Sequence, residues 1–184
     1  MEKKKSIFML LFASFMLISC AVTAQTSFTL NKEGVGCLKK GMLFSKIPAK
    51  CAGLYDRFEK KVIEDEMDGD YTLYVFYSGK TKVAEITDYG YEKTVAGITV
   101  FASNISTPDG VSPGMTVRKL LLKKGVKGQY RDGMELSLNG YTIGFDGMTD
   151  YGYKVFNNAY AKGTDVKLTN ACFKADAKVV SISR

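Results

Sequence analysis

The densest group of residues with reactive side chains is the acidic run Glu64, Asp65, Glu66, Asp68 and Asp70, ending in Asp68-Gly69-Asp70. Oxygen-rich loops of this kind hold calcium when ligand spacing and a turn glycine fit. Asp65, Asp68 and Asp70 are the metal-ligating candidates, although the spacing is not that of an EF-hand. Two such carboxylates could also serve as an acid/base pair on a glycosidic bond, but sequence places no second carboxylate opposite them. A solvated turn entering the strand at Tyr71 is the stronger reading. The chain contains no histidine and no tryptophan. That removes histidine triads, the Cys-His dyad, imidazole ligation of metals and the commonest general base. Any enzyme built on this chain would have to work with carboxylate, Lys, Tyr, Ser or Cys, and no catalytic constellation or cofactor motif is recognisable.

Cysteine is the next candidate. Cys20 leaves the folded domain under either signal cleavage described below, so Cys37, Cys51 and Cys172 remain. In an oxidising compartment Cys37 can pair with Cys51, closing a loop of about 15 residues worth roughly 3 kcal/mol. Without a histidine or a CxxC spacing, a buried or bonded cysteine is favoured over a catalytic thiol.

Tyr and Phe contribute 11 residues each, and several Tyr gather at strand ends and turns. Tyr is common in strands, and it also suits binding surfaces because it offers apolar area with a polar tip. The segments Asp88-Tyr89-Gly90-Tyr91 and Asp150-Tyr151-Gly152-Tyr153 make Tyr89, Tyr91, Tyr151 and Tyr153 the binding candidates.

The N-terminus carries an address. Lys3, Lys4 and Lys5 precede an apolar stretch from Ser6 to Ile18, 13 residues long, where a membrane-spanning helix needs about 20. This is the pattern of a secretory signal over residues 1–24, cleaved either before Cys20 or after Ala24. Leu17-Ile18-Ser19-Cys20 resembles a bacterial lipobox, which would lipidate Cys20 and anchor the protein to a membrane. Val22-Thr23-Ala24 suits ordinary signal peptidase. The expected location is the periplasm of a gram-negative bacterium, free or as an anchored lipoprotein. Export takes the net charge from +7 to +5, as three lysines and one glutamate leave. The remaining basic residues are spread along the chain, whereas nucleic-acid binders cluster them, so no nucleic-acid partner is expected.

These residues must be positioned by a single domain over 25–184. Self-comparison suggests a two-fold repeat, about 34–91 and 110–153. Gly41-Met42 is echoed by Gly114-Met115, Gly53-Leu54-Tyr55-Asp56 by Gly128-Gln129-Tyr130-Arg131-Asp132, Tyr71-Thr72-Leu73 by Tyr141-Thr142-Ile143, and the two Asp-Tyr-Gly-Tyr segments echo each other. Strands are predicted over Ser27–Leu30, Tyr71–Tyr77, Lys82–Thr87, Gly97–Ala102, Met134–Leu138, Tyr141–Phe145 and Lys178–Ser183. Ser78-Gly79-Lys80 and Asn139-Gly140 are hairpin turns. Helices are predicted over Leu43–Ile47, Thr116–Lys124 and Asp150–Lys162. Helices grouped beside runs of hairpins predict an α+β fold with an antiparallel sheet and a few short helices.

At Thr107-Pro108-Asp109-Gly110-Val111-Ser112-Pro113-Gly114-Met115 the chain resembles a family of exported proteins of gram-negative bacteria that carry Thr-x-Asp-Gly-Ile/Val-x-x-Gly-Met. More distantly, its paired Gly-Met elements are similar to the repeats of β-lactamase-inhibitor-like and outer-membrane-assembly lipoprotein domains. That second resemblance implies short helical segments followed by antiparallel strands, and protein binding as the function. It departs in lacking Thr after Met42 and in having Pro48 inside the first helix. Neither resemblance supplies catalytic residues. Together these observations predict an exported, non-enzymatic binding or assembly module for an envelope protein or polymer. The alternative is a carboxylate-based hydrolase or a periplasmic protein that binds a small ligand or metal.

Overall fold

The computed structural model describes residues 26–65, 69–91, 93–130 and 133–184. The expected signal segment, the lipidation candidate Cys20 and the acidic candidate Asp68 lie outside them. Twelve strands dominate the described residues: β1 (Phe28–Thr29), β2 (Gly34–Val35), β3 (Leu38–Lys39), β4 (Arg57–Ile63), β5 (Tyr71–Ser78), β6 (Thr81–Asp88), β7 (Thr99–Val100), β8 (Ile105–Ser106), β9 (Lys127–Tyr130), β10 (Met134–Leu138), β11 (Tyr141–Phe145) and β12 (Val179–Ser183). The α-helices are α1 (Val117–Leu121) and α2 (Asp150–Lys162).

This corrects the α+β expectation: the fold is β-rich. The predicted first helix is reduced to a 3-10 turn, Phe44–Lys46. Gly41, at φ 76°, stands just before it, and Pro48 follows, so the chain has room for only one turn. The predicted second helix shortens to five residues. Most of the cover over the sheet is therefore supplied by two-stranded ribbons and turns.

One eight-stranded antiparallel sheet runs in the order β4-β5-β6-β7-β12-β11-β10-β9. The meanders β4-β5-β6 and β9-β10-β11 occupy its two flanks, and β7 and β12 form the seam between them. The self-similar segments do not all fall on matching strands. Gly41-Met42 and Gly114-Met115 each lead into a helical turn. Tyr71 opens the middle strand of its meander, however, whereas Tyr141 opens the inner strand of the other.

Because side chains alternate across a strand, register assigns each to a face. Phe58, Phe76, Ala84, Val100, Ile182, Ile143, Leu136 and Gly128 stand in one row across all eight strands. All but the end residues Phe58 and Gly128 are buried. They join one core cluster with Leu30 and Ile105 beside the β1–β8 pair, Val35 and Leu38 of the β2–β3 ribbon, Val117 and Leu120 of α1, and Phe156 of α2. Each such aliphatic or aromatic side chain contributes about 2 kcal/mol on burial. At the row's far end Gly128 has no side chain, and the segment around Val166 crosses there: a Cβ on Gly128 would lie 2.8 Å from that of Val166.

Local sequence fixes the ends of the elements. Asn139 (φ 51°) and Gly140 (φ 80°) both have positive φ, as the two-residue hairpin turn joining β10 to β11 requires. Thr149 caps α2, its hydroxyl accepting from the Gly152 N–H at 3.1 Å, and Gly163 closes the helix in the left-handed conformation. Cys37 and Cys51 are joined as a disulfide, and Cys172 is a buried free thiol.

Candidate functional site

The elements covering the sheet all pack on its apolar face. The opposite face carries the row Glu59, Val75, Glu85, Thr99, Ser183, Thr142, Ser137 and Lys127, again across all eight strands. Seven of these eight are polar or charged, and all but Val75, 3% exposed, are half-exposed or exposed. An antiparallel sheet can leave one face to solvent in this way.

Charge on the β4–β6 part of the open face is paired locally. Arg57 meets Glu59 at 2.9 Å, and Lys61 reaches the same carboxylate at 3.9 Å. Lys82 forms an ion pair with Glu85 and lies 3.8 Å from the centre of the Phe101 ring. An irregularity between Phe76 and Tyr77 pairs Tyr77 with Lys82, which turns the lysine to this face.

A cleft of about 280 Å³ opens at the end of this face where β6 finishes. It is lined by Glu85, Thr87, Thr99 and Ser183, by the 96–98 segment, by Arg184, and by Tyr89 and Tyr91, which form an aromatic wall. Thr99 Oγ1 and Ser183 Oγ are 2.9 Å apart across the β7–β12 seam. Gly90, at φ 80°, makes the turn between the two tyrosines, and its N–H donates to Asp88 Oδ1 at 2.9 Å. The rings form a ladder. Tyr71 and Tyr89 have centroids 5.6 Å apart, and Tyr89 and Tyr91 are 5.7 Å apart with planes inclined by 10°. Tyr91, the last rung, is 78% exposed.

Tyr151 and Tyr153 lie elsewhere. In the antiparallel order β6 and β11 run in opposite directions, so the segments that follow them leave from opposite ends of the sheet. Tyr151 borders a groove of about 670 Å³ between α2 and residues 164–169. Tyr153 lines a smaller cavity with Met134, Phe145 and Met148. Both rings are about half-exposed. The structure thus brings Tyr89 and Tyr91 together and keeps them apart from Tyr151 and Tyr153.

The acidic run forms the connection between β4 and β5, whose strands pair up to Ile63 and Tyr71. Glu64 and Asp70 are exposed, Asp65 is half-buried, and the Asp65 carbonyl accepts from the Gly69 N–H at 3.0 Å. Among the described residues no group of three His, Cys, Asp or Glu side chains is placed to hold a metal ion. The Thr107–Met115 motif is structural. Thr107 is buried and its hydroxyl accepts from the Val111 N–H at 3.2 Å, while Gly114 and Met115 exchange backbone hydrogen bonds with Val179.

Two tyrosines have perturbed acidity, both on the apolar side. Burial pushes Tyr55 up to about 12, and its hydroxyl donates to the Pro48 carbonyl at 2.7 Å. Burial also raises Tyr141, whose hydroxyl donates to the Leu30 carbonyl at 3.0 Å. Both are structural groups held protonated, and neither lines the cleft.

Glu85, Thr87, Thr99 and Ser183 were not among the sequence candidates. The alternation in β6 marks Glu85 and Thr87 as outward-facing. Nothing local, however, brings Thr99 beside Ser183, 84 positions away.

The structure is similar to the crystal structure of the uncharacterized protein yfeY from Escherichia coli. The two share 19% identity and a TM-score of 0.55, over 86% of this chain and 98% of that one. At this identity the likeness shows the fold alone. No protein-family model and no curated protein matches the sequence.

Proposed function

We propose that this chain is an exported cell-envelope protein that works without catalysis, as a binding or assembly module for an envelope protein or polymer. The observation that carries the reading is the uncovered polar row from Glu59 to Lys127, with the Tyr89–Tyr91 cleft opening at one end of it. In its middle the row carries only short hydroxyl side chains on paired strands, Thr99, Ser183, Thr142 and Ser137, so these lose little freedom when a partner docks, which lowers the cost of binding. Export is supported by the basic start at Lys3–Lys5, the apolar Ser6–Ile18 stretch and the lipobox-like Leu17-Ile18-Ser19-Cys20. In this reading Cys20 is lipidated and holds the module at a membrane surface.

Cross-linking in intact cells, followed by native purification, tests this. A recurrent envelope protein or polymer that copurifies is the expected result, and Cys20→Ser should move the protein out of the membrane fraction. A protein recovered alone under the same conditions would contradict the binding role.

A further inference from the structure

The cleft beside Tyr89 and Tyr91 has a chemistry narrower than that of a general docking surface. Its polar side chains are a carboxylate, Glu85, the hydroxyls of Thr87, Thr99 and Ser183, the phenols of Tyr89 and Tyr91, and Arg184. The carboxylate is already neutralised by Lys82, and Arg57 and Lys61 on the same face are held by Glu59. Arg184 also lines the cleft, but its guanidinium donates to the Asn139 carbonyl at 2.9 Å and lies 4.6 Å from the centre of the Tyr141 ring. The cations described at the cleft are therefore already engaged, although the chain as a whole is basic. An aromatic wall stands beside these hydroxyls, and the outer ring, Tyr91, is largely exposed. A ligand that satisfies this site must be uncharged, rich in hydroxyls and flat on one apolar face.

Sugars have that combination. A pyranose presents axial C–H groups on one face and hydroxyls around its rim. We propose that this cleft binds a neutral saccharide, with one or two rings of a glycan chain lying against Tyr91 and their hydroxyls bonded to Glu85, Thr87, Thr99 and Ser183. The cleft volume of about 280 Å³ is at the lower limit for pockets that enclose a drug-sized ligand. It suits a short stretch of a chain that continues along the open face. The Thr99–Ser183 hydroxyl pair, 2.9 Å apart, keeps acceptor capacity for an incoming donor. This assignment rests on the binding-module reading and gives it a ligand class.

The test is titration of the purified mature protein with three neutral tetrasaccharides (of N-acetylglucosamine, of β-linked glucose and of mannose) and with the corresponding monosaccharides. Backbone amide NMR shifts are the readout. Saturable shifts at Gly90, Gly97 and Thr99 are expected for at least one tetrasaccharide, with a Kd of about 1 mM or tighter. A free sugar as the true ligand would show equal affinity for the monosaccharide, whereas a glycan chain would bind tighter as the tetrasaccharide. Tyr91→Ala should weaken binding about tenfold, and Ser183→Ala should weaken it as well. Because Tyr91 is exposed, its variant should melt like the parent, which separates lost binding from lost folding. Absence of saturation with every sugar, or binding indifferent to Tyr91→Ala, would overturn the assignment. If the sugars fail while cross-linking in cells still captures an envelope partner, the saccharide assignment falls and the module reading stands. If the sugars bind with these variant effects but no partner is captured, the saccharide site stands and the wider role falls.

Discussion

Thr99 and Ser183 face each other across the central antiparallel pair of the sheet, their hydroxyl oxygens 2.9 Å apart. One step along each strand, Val100 and Ile182 are also paired, and both are fully buried in the core. The seam between the two halves of the sheet therefore holds the contrast that organises the molecule, with a sealed apolar face on one side and an open polar face on the other.

That contrast can be measured on adjacent residues of β10. Leu136→Ala should cost about 3 kcal/mol, because it leaves a cavity in the core row. Ser137→Ala, its neighbour on the open face, should stay within about 0.5 kcal/mol of the parent. Urea denaturation of both variants checks the assignment of faces, and a similar loss for both would contradict it.

Gly152 reverses the usual propensity rule. Alanine is favoured over glycine in a helix by about 1 kcal/mol, and Gly152 lies in the first turn of α2. A Cβ there would run into the carbonyl oxygen of Cys172 and lie 2.8 Å from Met148 Cγ. Gly152→Ala should therefore lower the melting temperature, with a loss of about 1–3 kcal/mol from overpacking. A stabilised variant would show that α2 does not sit against the Cys172 segment.

The disulfide between Cys37 and Cys51 closes the loop that carries the β3 strand and the 3-10 turn. Replacing both cysteines with serine should cost about 3 kcal/mol, measured by denaturant unfolding. A reductant should bring the parent toward the variant and leave the variant unchanged.

Tyr55 sets an alkaline limit. Its folded pKa, raised by burial to about 12, lies above the unfolded value near 10. The neutral form is the one the fold favours, so this stabilisation is complete below about pH 10 and is lost as pH rises toward 12. Tyr55→Phe should flatten the fall in stability over that window. An unchanged slope in pH-dependent unfolding would show that Tyr55 is not responsible.

Much of the sheet interior was legible in the sequence. The hairpins joining β5 to β6 and β10 to β11, together with helix α2, follow from alternation, Gly79, Asn139-Gly140 and the closing Gly163. The two edge strands were not. β4 reads Arg-Phe-Glu-Lys-Lys-Val-Ile and is charged at most positions, as suits an exposed sheet edge. β9 carries Gly128 where its neighbours carry apolar side chains, because another segment crosses there. The fold class was misread because Leu43–Ile47 and Thr116–Lys124 have helix-like spacing but too little length between breakers to continue. In the candidate site, the tyrosines stood out by their repetition. The hydroxyls of Thr99 and Ser183 became visible only through pairing across a long stretch of chain.

The central claim, that the uncovered sheet face is the working surface, is tested most directly by site-specific photo-cross-linking in living cells. A photoreactive residue placed at Ser137, Thr142 or Tyr91 should give a discrete adduct with an envelope component, whereas the same residue at Asn157, on the exposed side of α2, should give none. Adducts from Asn157 alone, or none from any open-face position, would contradict the account.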